Sequence, residues 1–435
     1  MQQLKQHIVC FEHEYLYAAG TLHTAQPGQR AIPQALFDEL FEQPKIWLKR
    51  DWLGRQAVLK TCQYIGVVQG KCGHSLEILP KTGKAGQSHE QIRLMLLTML
   101  QALPQTPFKR LDQRALVQKA KLPLLNIFVG QALQDILSVL QQGTKRHYHS
   151  RQGNLPVWRG RLLVQQHILH NHSHHERFYT EHDEYSSNCP ENRLLKRALQ
   201  CLTYLACTAS NQQLLQVCLQ RMRHIPASTH IAQDFKAVCL DRNQHYYWDA
   251  LQWARLIIDG FAPVTGKGEQ PAFSLLFDMN QLFENIVASC LKKQLPSGWQ
   301  LKVQQQAAAL LQVNNQPQQK LQPDLLLLAE QRPVAILDTK WKILSGTTFS
   351  QLKPSEPELY QMFAYAAAYL PQGGEVCLVY PKTAQFHQAV EQAVFQHIRD
   401  AKVHLKLLPF CLETFCLLNA PFTQLGLEAA QHESC

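Results

Sequence analysis

The chain has 435 residues, more than one compact core ordinarily holds, so two or three domains are expected. It carries 43 basic and 33 acidic residues, a formal charge of +10, which suits a polyanionic partner without requiring one. The 46% apolar content is that of a globular protein, and no apolar run approaches the ~18 residues of a membrane span. The N-terminal Met1-Gln-Gln-Leu-Lys-Gln-His lacks the apolar centre of a signal peptide, and the 13 cysteines show no CxxC pairing. A reduced, cytoplasmic protein without a membrane partner is therefore expected.

In chain order, residues 1–85 read as a β-rich module. Strand-like runs lie at 8–20, Ile46-Trp-Leu-Lys, Gln56-Ala-Val-Leu-Lys, Tyr64-Ile-Gly-Val-Val and Ser75 to Lys81, with a short helix from Pro33 to Glu42. Residues 86–270 read as a mixed, mainly helical middle region. Ser88 caps a helix to Leu103, and a second runs from Pro123 to Gln142 and stops at Gly143. Lys109-Arg110 and Lys119 to Lys121 are either phosphate contacts or a solvated face. The stretch 147–185 holds eight histidines at irregular spacing, which suits a polar loop or strand edge better than zinc. Val157-Trp-Arg-Gly-Arg161 reads as a turn entering a strand. Four helices are then expected between Glu191 and 259.

Residues 271–435 alternate helix and strand, as an α/β domain does. A helix is expected from Ser274 to Leu295, with Glu284 bordering its apolar stripe. A strand at Gln300 to Gln305 and a Gln-rich linker come next. Two apolar runs, Leu325 to Ala329 and Val334 to Leu337, then form a hairpin with Asp324 before the first and Asp338-Thr-Lys340 closing the second. Helices at 355–370 and 385–399 are expected on either side of a strand at Glu375 to Tyr380, and Val403 to Leu408 suits a last strand.

Ionised groups lose heavily on burial unless they are paired or bind a metal, so two acids and a lysine beside buried strands point to a site. Residues two apart on a strand share a face, which puts Lys340 beside Asp338. A three-residue loop, Gln331 to Pro333, places Asp324 opposite Lys340. A loop of two or four residues puts it on the wrong face unless a bulge intervenes. Carboxylate oxygens suit Mg²⁺, so Asp324 and Asp338, with the carbonyl of Thr339, are expected to hold one ion, and Glu284 to add a ligand for a second. Lys340 orients the attacking water. Gln361 and Tyr365, one helical turn apart, are expected to meet DNA phosphate or support Lys340. Helix acid, strand Asp, strand Asp-x-Lys and helix Gln-xxx-Tyr, in this order, match a PD-(D/E)xK endonuclease core. The expected architecture is thus α+β and multidomain: a β-rich N-terminal module, a helical middle and a C-terminal restriction-endonuclease-like domain.

A wider set of segments resembles the McrC family, the nuclease subunits of McrBC modification-dependent restriction systems. These are Tyr64-Ile-Gly-Val-Val, Leu76-Glu-Ile-Leu-Pro-Lys81, Trp158-Arg-Gly-Arg161, Glu184-Tyr185 followed by Glu191-Asn-Arg-Leu-Leu-Lys196, Phe277-Asp-Met-Asn-Gln-Leu-Phe-Glu284, Pro323-Asp324 and Leu337-Asp-Thr-Lys-Trp-Lys342. The resemblance implies a Mg²⁺-dependent DNA endonuclease subunit with Asp324, Asp338 and Lys340 catalytic. It also implies a hexameric AAA+ GTPase partner of the McrB kind, which recognises modified double-stranded DNA and is contacted by the N-terminal portion. Arg159, Arg161, Glu191, Asn192 and Arg193 become candidates only through it. GTP enters only through the partner, since no GxxxxGK[ST] loop is present and Gly83-Lys84 lacks the rest of that motif. Alternatives are a non-cleaving adaptor of such a motor and a stand-alone repair nuclease of the same core.

Overall fold

The computed structural model describes residues 6–20, 27–42, 46–82, 87–103, 106–110, 117–205, 207–261, 272–305, 308–313, 316–395 and 402–418. Gly83-Lys84 and the end of the chain after 418 lie outside the described residues, as do the side chains of Lys109 and Arg110. Two compact units are formed. One comprises Met1–Val68, His74–Leu124 and Leu276–Cys435, and the other Gln69–Gly73 and Leu125–Leu275. The sequence suggests joints at 85 and 270; position 85 lies inside the first unit, position 270 lies in the second, close to its end at Leu275, and the first unit unites N-terminal and C-terminal segments.

Its N-terminal part contains β1 (His7–Phe11), β2 (Tyr15–Ala18), β3 (Gln29–Ile32), α1 (Gln34–Glu42), β4 (Leu48–Leu53), β5 (Gln56–Thr61), β6 (Tyr64–Gln69), β7 (Ser75–Leu79) and α2 (His89–Ala102). One sheet has the order β3-β2-β5-β4, while β1 pairs in parallel with β7 in another. Leu36, Phe37 and Leu40 of α1 join Cys10, Leu16, Leu59, Leu76 and Ile78 in one core. Every residue of β7 is buried, including Glu77, whose carboxylate is held by Arg93 at 2.5 Å and His7 at 2.9 Å. That pairing makes burial of the charge tolerable and ties α2 to the strand. Ser88 and Gln91 close a capping box at the start of α2.

The second unit is led by α3 (Leu124–Gln142), the one described helix long and apolar enough to cross a membrane. It is packed as a core helix: Leu125, Phe128, Leu133 and Ile136 are buried, and its buried Asp135 accepts a 2.9 Å hydrogen bond from Trp253 Nε1. β8 (His147–Leu155), β9 (Arg161–Leu162), α4 (Val164–Asn171) and β10 (Phe178–Ser186) follow, with strand order β8-β10-β9. Of the eight histidines of this stretch, His147, His149 and His182 lie on the β8–β10 ribbon, His167 and His170 on α4, and His172, His174 and His175 in the turn after it. Gly160 leads into β9 at φ +69°, and a Cβ there would collide with the carbonyl of Glu181. α5 (Pro190–Leu202), α6 (Ala209–Arg221), α7 (Ile231–Ala237) and α8 (Trp248–Gly260) complete it.

The C-terminal segment adds β11 (Phe273–Asp278), α9 (Met279–Gln294), β12 (Trp299–Val303), β13 (Ala308–Val313), β14 (Gln316–Leu321), β15 (Leu325–Ala329), β16 (Arg332–Thr339), α10 (Phe349–Leu352), α11 (Glu356–Tyr369), β17 (Gly374–Pro381), β18 (Val390–Phe395), β19 (Val403–Cys411) and β20 (Cys416–Leu417). A seven-stranded sheet runs β12-β15-β16-β17-β19-β18, with β20 paired to β19. The pairs β16–β17 and β17–β19 are parallel, and α11 provides the crossover between β16 and β17.

Three expectations are corrected here. The helix expected from Ser274 begins at Met279: the apolar run before it joins a sheet as β11, and Asp278 caps the helix by accepting from the N–H groups of Asn280 and Gln281. The Gln-rich linker is the hairpin β13–β14. Of the helix expected at 385–399, residues 396–399 lie outside the described residues, and the described part contains β18 instead. Phe386, Val390 and Val394 have helical spacing, but pairing with β19 satisfies the backbone and overrides it.

Candidate functional site

The hairpin β15–β16 builds the site. Its turn has two residues, not three: Ala329 pairs with Arg332, and Glu330 and Gln331 both have positive φ, 48° and 70°. Such a turn suits the twist of the strands. By itself it would put Asp324 opposite Leu337, on the wrong face. A bulge between Leu327 and Leu328 restores the register, so that Leu325 pairs with Leu337 and Asp324 falls opposite Asp338. Asp324 therefore shares the face of Asp338 and Lys340, but its opposite number is Asp338. The strand beyond accommodates this closely. A Cβ on Gly374 (φ +146°) would lie 2.5 Å from the carbonyl oxygen of Val334.

The side chains converge at the end of β16. Asp338, 1% exposed, forms an ion pair with Lys340, 2.6 Å from Oδ2 to Nζ. Beyond that pair, Oδ2 has no hydrogen-bond donor. Asp324 Oδ2 accepts from the backbone N–H of Thr339 at 2.8 Å and from its hydroxyl at 2.9 Å. Thr339 thus orients one acid while its neighbours carry the other charges. Burial, then the nearby Asp324 carboxylate, pushes the Asp338 carboxyl up to about 7. Burial works against the Lys340 ammonium, but Asp338 and Asp324 outweigh it and hold its pKa above the ordinary value. Lys340 is a fixed positive charge at neutral pH.

Gln361 and Tyr365 share one face of α11 and form a chain. Lys340 Nζ lies 3.4 Å from Gln361 Oε1, Gln361 Nε2 donates to Tyr365 Oη at 2.9 Å, and Tyr365 donates to the Gln322 carbonyl at 2.8 Å. The chain links the lysine to the segment that carries Asp324. Glu284 sits at the edge of the group and accepts from Gln304 Nε2 at 3.0 Å. Burial, with Asp324 adding to it, pushes its carboxyl up to about 7.

Among the described residues no three His, Cys, Asp or Glu side chains form a metal cluster. Asp324 and Asp338 bring carboxylate oxygens together on one face. This oxygen donor set, with the buried, hydrogen-bond-poor Oδ2 of Asp338, fits a hard divalent cation.

Sequence reasoning missed Gln304, the clamping role of the Thr339 hydroxyl, and Glu12, which accepts from Trp341 Nε1 at 2.7 Å. No local pattern announces the last, because its partner lies more than 300 residues away. Glu191, Asn192 and Arg193 serve internal structure: Glu191 pairs with Lys145 at 2.8 Å, Asn192 accepts from Tyr247 at 2.7 Å, and Arg193 Nε donates to Asp234 at 3.0 Å. Arg159, just before β9, and Arg161, the first residue of β9, are exposed.

Fold and site together define a mixed α/β, many-sheeted protein with a carboxylate–lysine group at the rim of its largest sheet. The chain belongs to the family described as McrBC 5-methylcytosine restriction system component, which matches residues 59–381. Two solved structures are similar. One is the "Refined half-complex from tetradecameric assembly of Thermococcus gammatolerans McrB AAA+ hexamers with bound McrC", at TM-score 0.67 and 17% identity over 93% of this chain and 95% of that one. The other is the "Cryo-EM structure of the Thermococcus gammatolerans McrBC complex", at TM-score 0.49 and 19% identity over 67% of this chain and 89% of that one. A search of curated protein sequences finds no match.

Proposed function

We propose that the chain is the Mg²⁺-dependent endodeoxyribonuclease subunit of a modification-dependent, McrBC-like restriction system, activated by and stimulating a partner AAA+ GTPase. The carrying observation is the Asp338–Lys340 ion pair at 2.6 Å with Asp324 held on the same face, in the order of a PD-(D/E)xK core. Family membership and the likeness to a chain in an assembly of McrB AAA+ hexamers with bound McrC support the partner.

Asp324 and Asp338, with the Thr339 carbonyl, would hold Mg²⁺, and Glu284 would extend the set if a second ion binds. When bound, the ion would supply Lewis acidity at the scissile phosphate and a more acidic water nucleophile. The chain's own groups position and compensate charge. Lys340, kept ionised by its two acids, stabilises negative charge on the phosphate and orients water beside it. Gln361 and Tyr365 fix the lysine's reach. Thr339 holds Asp324 in one rotamer through two hydrogen bonds.

The test is Asp338→Ala assayed with the partner GTPase and methylated duplex DNA. Cleavage should fall by roughly 10³-fold or more while stimulation of GTP hydrolysis persists. Undiminished cleavage would refute the site assignment, and full cleavage without any partner would refute the subunit reading.

A further inference from the structure

The turn between β1 and β2 carries an acid that the proposed chemistry does not use. Glu12 is 1% exposed, and His13 beside it adopts a left-handed φ of 60°. Its backbone N–H is fixed to the Leu79 carbonyl at 3.0 Å. Its Oε1 accepts two hydrogen bonds, from Trp341 Nε1 at 2.7 Å and from the Lys81 N–H at 2.9 Å, while Oε2 has no hydrogen-bond partner. Around it stand Lys81 and Asp278, and His13 lies 4.0 Å away.

Trp341 directly follows Lys340. Its indole packs edge-on against Phe283, the neighbour of Glu284, with ring centroids 5.4 Å apart, and Phe283 in turn meets Phe410 at 5.7 Å. The backbone of Lys340 is held by its N–H to the Val379 carbonyl at 2.9 Å. One indole therefore sits between the lysine's main chain and the helix of Glu284, and Glu12 fixes the direction of its N–H. A second tie runs alongside: Met279 N–H, at the start of α9, donates to the Gln63 carbonyl at 2.9 Å. A neutral, well-packed side chain would hold an indole at less cost than a buried carboxylate. What the carboxylate adds is one fixed orientation.

We infer that Glu12, through Trp341, is a positioning residue for Lys340 and the Glu284 helix. The nuclease site would then be set partly by the N-terminal strands, more than 300 residues away in sequence. The inference rests on the endonuclease reading.

Partnered cleavage assays on Glu12→Ala, Glu12→Gln, Trp341→Phe and the double variant Glu12→Ala/Trp341→Phe test it, with Asp338→Ala as the inactive reference. Glu12→Ala should lower kcat roughly 10- to 100-fold with KM for DNA nearly unchanged, as expected for displaced catalytic groups. Glu12→Gln keeps an acceptor oxygen and should restore most of the rate. Trp341→Phe keeps the ring packing, loses the N–H and should match Glu12→Ala, and the double variant should be no worse than either. Wild-type rates in Glu12→Ala and Trp341→Phe, multiplicative losses in the double variant, or a loss in KM alone would overturn the inference while leaving the endonuclease reading intact. Should Glu12→Ala fail to fold, the comparison of Trp341→Phe with Glu12→Gln decides alone. A wild-type chain that cuts no DNA with its partner would overturn both readings.

Discussion

Asp338 shows how a single residue ties the candidate chemistry to stability. Its carboxyl titrates near 7, against an ordinary aspartate near 4, because it is buried and faces Asp324. Glu284 is raised for the same reasons, burial first. In metal-free chain the folded state therefore binds protons more tightly than the unfolded state. Stability is fully present below the ordinary carboxylate range, falls as pH rises from about 4 to about 7, and is level above that. The loss is on the order of a few kcal/mol, most of it from Asp338, because solvent screens the half-exposed Glu284. Thermal unfolding in chelator at pH 5 and pH 8 reads this directly. Wild type should melt lower at pH 8, and Asp338→Asn should lose most of that difference while cutting no DNA. Added Mg²⁺ should raise the pH 8 melting temperature of wild type and not of the variant. Tyr365 gives a second test. Burial pushes its hydroxyl up to about 12, so it stays protonated and donates to the Gln322 carbonyl. Tyr365→Phe leaves that carbonyl and the Gln361 amide short of a partner, at about 1–2 kcal/mol in urea unfolding. If the chain to Lys340 positions the lysine, single-turnover cleavage should slow about tenfold.

At the scale of the element, the hairpin β15–β16 decides whether the acids can meet. The sequence made its two apolar runs and flanking charges plain, and with them the Asp338–Lys340 face. It did not reveal the turn length. Nothing in Ala329-Glu-Gln-Arg-Pro333 marks two left-handed residues, because Glu and Gln rarely take that conformation. The bulge that compensates is a property of pairing, with Val334 buttressed against Gly374 from the next strand. The same limit explains β18, where helical spacing was real and an edge pairing prevailed. Two opposite substitutions test this element. Glu330→Asn with Gln331→Gly matches the turn's backbone and should stabilise by about 1 kcal/mol, cleavage unchanged. Gly374→Ala forces the Val334 carbonyl away and strains φ, so it should destabilise by about 2 kcal/mol or more. It should also cut activity through the shifted register, seen by pairing unfolding midpoints with cleavage rates.

For the whole molecule, the chain's order and its compact units differ. Strands and helices from 276 onward share one unit with residues 1–68 and 74–124, while 125–275 contribute to another. Local periodicity can find each strand, but it cannot say that Trp341 reaches Glu12 or that Gln63 meets Met279. Those are contacts between segments that carry no matching pattern. Cutting the chain where the sequence changes character should therefore fail. A fragment of residues 271–435 would lack the N-terminal partners of Trp341 and of the start of α9, and would leave the Trp341 N–H and the Met279 N–H without their acceptors, Glu12 and Gln63. Each lost buried hydrogen bond costs about 1–3 kcal/mol, and uncovered apolar surface adds about 25 cal/mol per Å², against a total stability of only ~5–15 kcal/mol for an ordinary domain. The fragment should lack a cooperative unfolding transition and bind hydrophobic dyes. Co-expression with residues 1–124 should restore a soluble complex that melts cooperatively and, with Mg²⁺ added, shifts upward. A fragment of 271–435 that folds cooperatively by itself and binds Mg²⁺ as the full chain does would show that the N-terminal strands are dispensable to the site.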